Sequence, residues 1–181
     1  MPISEAAFRK LALEAPSEQW ELHCGSPRRK PGMTAEHNRT MLRLAVSLDQ
    51  QLDRKEFDVR CNAGHVRASA QHYYIPDVAV IPIALVQPQL GTLALEVYET
   101  PLPLVVEIWS PSTGDYDIRE KLVEYQRRGD LEIWRIHPFE RTLIAWRRQP
   151  DGSYAETIYP GGLVYAVALP GVAIALDTLF E

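Results

Sequence analysis

Three side chains in this sequence have the types and spacing that chemistry could use. Asp77 follows Ile75-Pro76 and opens the apolar run Val78 to Ile83. Glu107 stands inside a second apolar run, Leu104-Val105-Val106-Glu107-Ile108-Trp109, and Lys121 falls in the next helical segment. A carboxylate among Leu, Val and Ile is costly unless a counter-charge meets it, and a divalent cation is one such counter-charge. Hydrolysing a phosphodiester requires neutralising developing negative charge and delivering a hydroxide-like water, and a divalent cation does both. Mg²⁺ takes oxygen ligands, commonly one or two carboxylates, with waters and substrate phosphate filling the rest. Asp77 and Glu107 could be those carboxylates, with the Ile108 carbonyl as a further oxygen. A nearby lysine could orient the attacking water or offset charge on the pentavalent phosphorus. The chemistry so outlined is metal-dependent phosphodiester hydrolysis.

The elements that must position these residues follow from local pattern. Val78 to Ile83 and Leu104 to Trp109 are continuous apolar runs, as in strands covered on both faces. After Glu107, Ser110 and Ser112 turn the chain into a helix from about Asp117 to Arg128, closed by Gly129. On a wheel of about 100° per residue, Ile118, Leu122 and Tyr125 form its apolar face. Lys121 falls on the flank beside Tyr125, pointing to the sheet edge, with Glu120, Glu124 and Arg127 on the far side. Upstream, Ser4 caps a helix to about Glu14 with Pro16 beyond its end, and Thr34 caps a second from Ala35 to Leu52. The stripe Met41, Leu44, Ala45, Leu48, Leu52 has helical period, and His37 lies one turn before it. Trp20 to His23 reads as a short strand ended by Gly25, Ser26 and Pro27. Phe57 to Arg60 and Val66 to Ser69 read as a pair joined through Asn62-Ala63-Gly64. Leu93 to Tyr98 is either a strand or a loop-edge segment. Leu131 to Ile136, Thr142 to Arg148 and Tyr154 to Tyr159 follow, the last two joined by Asp151-Gly152, a hairpin signal. Val172 to Leu176 and a short turn at 177–180 finish the chain. The fold class expected is α/β (α+β), with a central mixed sheet flanked by helices, in a single domain spanning 1–181.

Composition sets limits on partners. With 181 residues, 46% apolar and 24% charged, the chain can bury a core and is globular. Its start lacks a basic-then-apolar leader, and no stretch approaches the roughly 20 apolar residues that span a bilayer, so a cytoplasmic protein without a membrane partner is expected. Cys24 and Cys61 are too few for a disulfide framework, and no CxxC pair suggests zinc. The net charge of −5 counts against nucleic acid. Locally, though, Pro27-Arg28-Arg29-Lys30-Pro31 is a basic loop, and Arg127-Arg128 ends a helix.

Ile75-Pro76-Asp77, the Val-Val-Glu107-Ile-Trp-Ser-Pro-Ser-Thr block, Tyr116-Asp117, Lys121 and Tyr125 together resemble the Uma-two group of restriction endonucleases, within the PD-(D/E)xK nuclease superfamily. The resemblance runs from about Glu21 to Pro170-Gly171 and the Leu179-Phe180 tail. It implies a restriction-endonuclease-like fold, DNA as substrate, Mg²⁺ (with Mn²⁺ as an alternative) as cofactor, and a homodimer by analogy with symmetric restriction enzymes. It further implies Asp77 and Glu107 as metal ligands and Lys121 as the catalytic lysine. Glu21, matching the acid of a Glu-Leu-x-x-Gly segment, is implied as an auxiliary ligand or water-positioning acid. One departure matters: the superfamily's commonest form places the lysine two residues after the second acid, where this chain has Trp109. Lys121 on the following helix would replace it.

Each residue also has a structural reading. Asp77 could simply make a turn, Lys121 could snorkel along its helix, and Glu21 could be a solvated edge acid. His37 reads as a hydrogen-bonded helix residue that the resemblance draws toward the cleft mouth. His23, His65, His72 and His137 show no metal-ligand spacing. Ser110 and Ser112 lack a Gly-x-Ser-x-Gly elbow, which rejects serine nucleophile chemistry. Trp134 and Trp146 read as sheet packing. The leading expectation is a Mg²⁺-dependent DNA endonuclease. The alternative is a catalytically inactive module on the same fold that binds nucleic acid or oligomerises.

Overall fold

The structure, a computed structural model, describes residues 2–15 and 17–181; the helix stop expected at Pro16 lies outside the described residues. The chain runs through α1 (Glu5–Glu14), β1 (Trp20–His23), β2 (Ser26–Arg29), α2 (Ala35–Gln51), β3 (Phe57–Cys61), β4 (His65–Ser69), β5 (His72–Tyr74) and β6 (Val78–Pro82). It continues with β7 (Val97–Tyr98), β8 (Leu104–Ile108), a π-helical turn (Asp117–Lys121), the helix Leu122–Arg128, β9 (Glu132–His137), β10 (Thr142–Arg148), β11 (Tyr154–Tyr159), β12 (Leu163–Tyr165) and β13 (Ala173–Ala175). Ser4 and Thr34 cap α1 and α2 as their side-chain chemistry predicts, accepting from the Ala7 and His37 amides.

Two mixed sheets carry most of the strands. One has the order β11-β10-β9-β8-β6-β3, and the other β2-β1-β5-β4-β7. In the first, β8 and β9 are parallel while β6 runs antiparallel to β8. Alternation along β6 and β8 divides their side chains between two cores. Val78, Val80, Leu104, Val106 and Ile108 pack with Leu44 and Leu48 of α2. Ala79, Ile81 and Val105 pack instead with Val66, Tyr74 and Tyr98 of the second sheet. This explains the continuous apolar runs: both faces of these strands are covered. Burying each such leucine contributes about 1.5–3 kcal/mol.

Two expectations are corrected. Ser26–Arg29 is not a loop but a strand paired with β1, with His23 opposite Ser26. Cys24 and Gly25 make the turn at φ 50° and 72°, and positive φ at both residues is what a tight hairpin with the right twist needs. The segments 57–60 and 66–69 do not pair with each other. β3 joins β6, and β4 joins β5 and β7 in the other sheet, because Val59 packs against one core and Val66 lies in the other. Of Leu93 to Tyr98, only Val97–Tyr98 is a strand, and the β12 strand against β13 was not foreseen. No described helix is long and apolar enough to cross a membrane.

Candidate functional site

Asp77 immediately precedes β6, whose Val78 is in register with Val106 of β8. That pairing brings Asp77 to the Glu107–Ile108 end of β8, where Asp77 Oδ2 accepts the Ile108 amide at 2.7 Å. By alternation both acids share the sheet face of Ala79 and Val105, the face turned to the second sheet. Both are almost fully buried, at 1% and 5% exposure.

The first acid is surrounded by donors. Lys30 Nζ meets Asp77 Oδ1 at 2.8 Å and also donates to Asn62 Oδ1 and the Ile75 carbonyl. His37 Nε2 lies 2.9 Å from Asp77 Oδ2. Burial works to raise the Asp77 carboxyl, but the charge of Lys30 and the His37 hydrogen bond outweigh it and hold the group well below the usual carboxylate range. Lys30 was read as part of a basic loop. Instead its ammonium is buried, because β2 runs beside β1 and delivers it inward. Nothing in the sequence around Lys30 distinguishes it from Arg28 and Arg29.

The second acid is in a different situation. Glu107 Oε1 accepts the Tyr125 hydroxyl at 2.5 Å and Lys121 Nζ at 3.3 Å. Lys121 is divided among three acids: Glu21 Oε1 at 2.8 Å, Glu107 at 3.3 Å and Asp117 Oδ1 at 3.6 Å. Burial pushes the Glu107 carboxyl well above its ordinary range; Lys121 opposes this, while Asp117 and Asp77 reinforce it. Burial works against the charged form of Lys121, but Glu107, Glu21 and Asp117 outweigh it and hold its pKa well above the ordinary lysine value. One buried cation therefore serves a cluster of acids, and the upward direction of the Glu107 shift reflects that shortage of positive charge.

Lys121 reaches this place through the π-helical turn, in which the Leu122 amide bonds back to the Asp117 carbonyl. The wider turn changes the rotation per residue, so Lys121 lies fully inside rather than on a flank, and Glu124, expected on the far side, is buried too. Trp109, at the commoner lysine position, stacks on His137 with centroids 4.2 Å apart. It also presses on Gly114, where an added Cβ would lie 2.2 Å from the indole nitrogen, so only glycine fits there.

Glu21 Oε1 also accepts the Ile75 amide at 2.9 Å, so this acid ties β1 to the segment leading into Asp77. The structure thus brings Asp77, Glu107, Lys121 and Glu21 together, with His37 beside them. The sequence reading missed Lys30, Asp117, Tyr125 as a donor, and Arg135. Arg135 is in register with Glu107 and lines a cavity of about 10 Å³ with Glu107 and Asp117; its Nε has no hydrogen-bond partner among the described residues. Asp117 Oδ1, apart from its 3.6 Å ion contact with Lys121, also lacks one among the described residues. Carboxylates, one of them with a buried oxygen that has no hydrogen-bond partner among the described residues, form an oxygen-rich donor set that suits a hard divalent cation.

Burial alone does not mark such a site. Glu132 is fully buried but satisfied by Trp134 Nε1, Arg147 and the Ala168 amide. Asp130 is likewise paired with Arg128 and caps the Leu102 amide. These are closed structural pairs, each with its own arginine.

Comparison with known proteins agrees with this architecture. A crystal structure of a protein from Anabaena variabilis ATCC 29413, titled a putative nuclease belonging to DUF820, superimposes with a TM-score of 0.79 at 17% identity, covering 99% of this chain and 98% of that one. It shares the fold. Among curated proteins none matches the chain. The family model Uma2, described as "Putative restriction endonuclease", matches residues 6–177. The chain belongs to the Uma2 family.

Proposed function

We propose that this protein is a metal-dependent endonuclease that hydrolyses phosphodiester bonds in DNA, acting as a cytoplasmic homodimer. The observation that carries the reading is the meeting of Asp77, Glu107 and Lys121 at adjoining strand ends. Asp77 and Glu107, with the Ile108 carbonyl, would hold Mg²⁺ or Mn²⁺. When bound, that ion supplies Lewis acidity and a water of lowered pKa. Lys121 would stabilise charge on the phosphoryl oxygens, and Glu21 would act as the auxiliary acid that holds Lys121 in place. Tyr125 fixes the Glu107 carboxyl by donating to it. His37 and Lys30 keep Asp77 ionised and oriented.

A second reading has a specific observation in its favour. Both Asp77 oxygens are already engaged by Lys30, His37 and the Ile108 amide, so this acid is neutralised within the protein itself. A non-catalytic module that binds nucleic acid or oligomerises would look the same. Incubating plasmid DNA with wild type and with Glu107→Gln, in Mg²⁺ and in Mn²⁺, separates the two. Cleavage by wild type that the variant lacks is expected; equal nicking by both proteins, or none by either, favours the second reading.

A further inference from the structure

Away from the acids, β1 and β5 bring together three side chains that the sequence keeps apart. Leu22 pairs with Tyr73, so the residues just past each, His23 and Cys24 on one strand and His72 on the other, converge where these two neighbouring strands end. One ligand atom from each of His23, Cys24 and His72 lies within 4.8 Å of the others. We propose that His23, Cys24 and His72 form a binding site for a borderline transition-metal ion of the Zn²⁺ type, separate from the Asp77–Glu107 site, with the half-exposed Glu120, which meets His23, swinging in as the fourth ligand.

The geometry supports this in three ways. A tetrahedral ion with bonds of about 2.3 Å to sulfur and about 2.0–2.1 Å to nitrogen or oxygen sets its N···S edges near 3.5 Å and its N···O edges near 3.3 Å. Cys24 Sγ lies 3.5 Å from His72 Nε2, and His23 Nε2 lies 3.3 Å from Glu120 Oε2, while Glu120 is not within 4.8 Å of all three of the other ligand atoms and must turn inward to complete the tetrahedron. Both imidazoles also have their other nitrogen occupied: His23 Nδ1 is 2.9 Å from the Tyr74 hydroxyl, and His72 Nδ1 is 2.9 Å from Ser69 Oγ. Partners at Nδ1 fix the ring and direct the Nε2 lone pair to a metal, the arrangement usual around ligating histidines. Finally, a Cys24 thiolate and the Glu120 carboxylate together match the charge of a dication. A thiolate and two imidazoles select zinc-like ions over Mg²⁺, whose preferred ligands are oxygens.

Glu120 belongs to the π-helical turn that carries Lys121, so a bound ion would tie the β1–β2 hairpin to that turn. Tyr74 and Tyr116 separate the two regions: Lys121 Nζ lies 6.0 Å and 5.6 Å from their ring centres, while His23 packs edge-on against Tyr116.

Titration of the full chain with Co²⁺ tests the assignment. Wild type should develop a near-ultraviolet thiolate-to-cobalt charge-transfer band and intense four-coordinate visible bands, both displaced by Zn²⁺ and unaffected by excess Mg²⁺. Cys24→Ser should abolish the charge-transfer band. His72→Ala should weaken the Co²⁺ binding read by the charge-transfer band at least about 100-fold and Glu120→Ala about 10-fold, whereas Asp77→Asn should leave that band and its Co²⁺ dependence unchanged, since Asp77 lies at the other site. Thermal melts of each variant without metal confirm that the fold is intact. Absence of the band in wild type would overturn the site, as would a spectrum unchanged in Cys24→Ser or one lost in Asp77→Asn. None of these readouts depends on DNA cleavage.

Discussion

Asp77 and Glu107 stand at neighbouring strand ends, on one sheet face, at similar depth, yet their surroundings drive them in opposite directions. Asp77 has donors of its own: Lys30 on one oxygen, His37 and the Ile108 amide on the other. Glu107 has a tyrosine hydroxyl and a share of a lysine that also serves Glu21 and Asp117. Depth is therefore not what sets the charge of a buried acid. The number of donors it holds without competition decides it, and by that measure Glu107 is the acid still short of positive charge. The closed pairs at Glu132 and Asp130 stand at the satisfied end of the same scale.

The comparison breaks most visibly in activity. If Lys121 supplies positive charge to the reaction, Lys121→Met should lower plasmid cleavage by about 10²–10³-fold, with binding of DNA measured separately to show that substrate still docks. Cleavage at the wild-type rate would remove the helix-borne lysine from the reaction and leave Trp109 marking a site without one.

Stability should separate the two acids next. Asp77→Ala strands a buried ammonium and is expected to cost about 3–5 kcal/mol in urea unfolding. Replacing Lys30 by Met in the same protein should restore part of that loss. Glu107→Gln keeps a hydrogen-bonding side chain while removing one of three acids that compete for Lys121, and should cost no more than about 1 kcal/mol. Equal losses for the two substitutions would contradict the difference drawn between them.

Acid–base behaviour gives the opposite signs. Asp77 has a folded-state pKa below its ordinary 3.8, so its contribution is present above that value and is lost as pH falls toward the depressed one. Glu107 has a folded-state pKa above its ordinary 4.5. The unfolded chain releases this proton first, so stability declines as pH rises from about 4.5 upward. Unfolding measured from pH 3 to pH 8 should show a steeper acid limb in wild type than in Asp77→Asn. The decline on the neutral side should flatten in Glu107→Gln. The smallest effect expected is from Arg28→Ala, which removes a guanidinium 5.2 Å above the Tyr116 ring and should cost about 0.5–1 kcal/mol by thermal melt.

Much of the fold was legible in the sequence because its signals are local. Ser4 and Thr34 announce the helix starts, Asp151-Gly152 announces the last hairpin, and the unbroken apolar runs around Val80 and Val106 announce strands covered on both sides. The sequence also determined Asp77, Glu107 and Lys121 as candidates, since an ionisable group beside an apolar run is conspicuous without knowledge of its neighbours. The partners were not legible. Lys30 looks like its exposed neighbours Arg28 and Arg29, and only the β1–β2 hairpin turns it inward to Asp77. Asn62-Ala63-Gly64 carries a turn signal, but a turn cannot say which sheet the next strand will enter. His23, Cys24 and His72 have no ligand spacing along the chain, and the β1–β5 register alone brings them within reach of one ion. Propensity and hydrophobic pattern act over a few residues. The charge state of a buried acid and the convergence of distant ligands depend on strand pairing across many residues, so only the tertiary structure decided them.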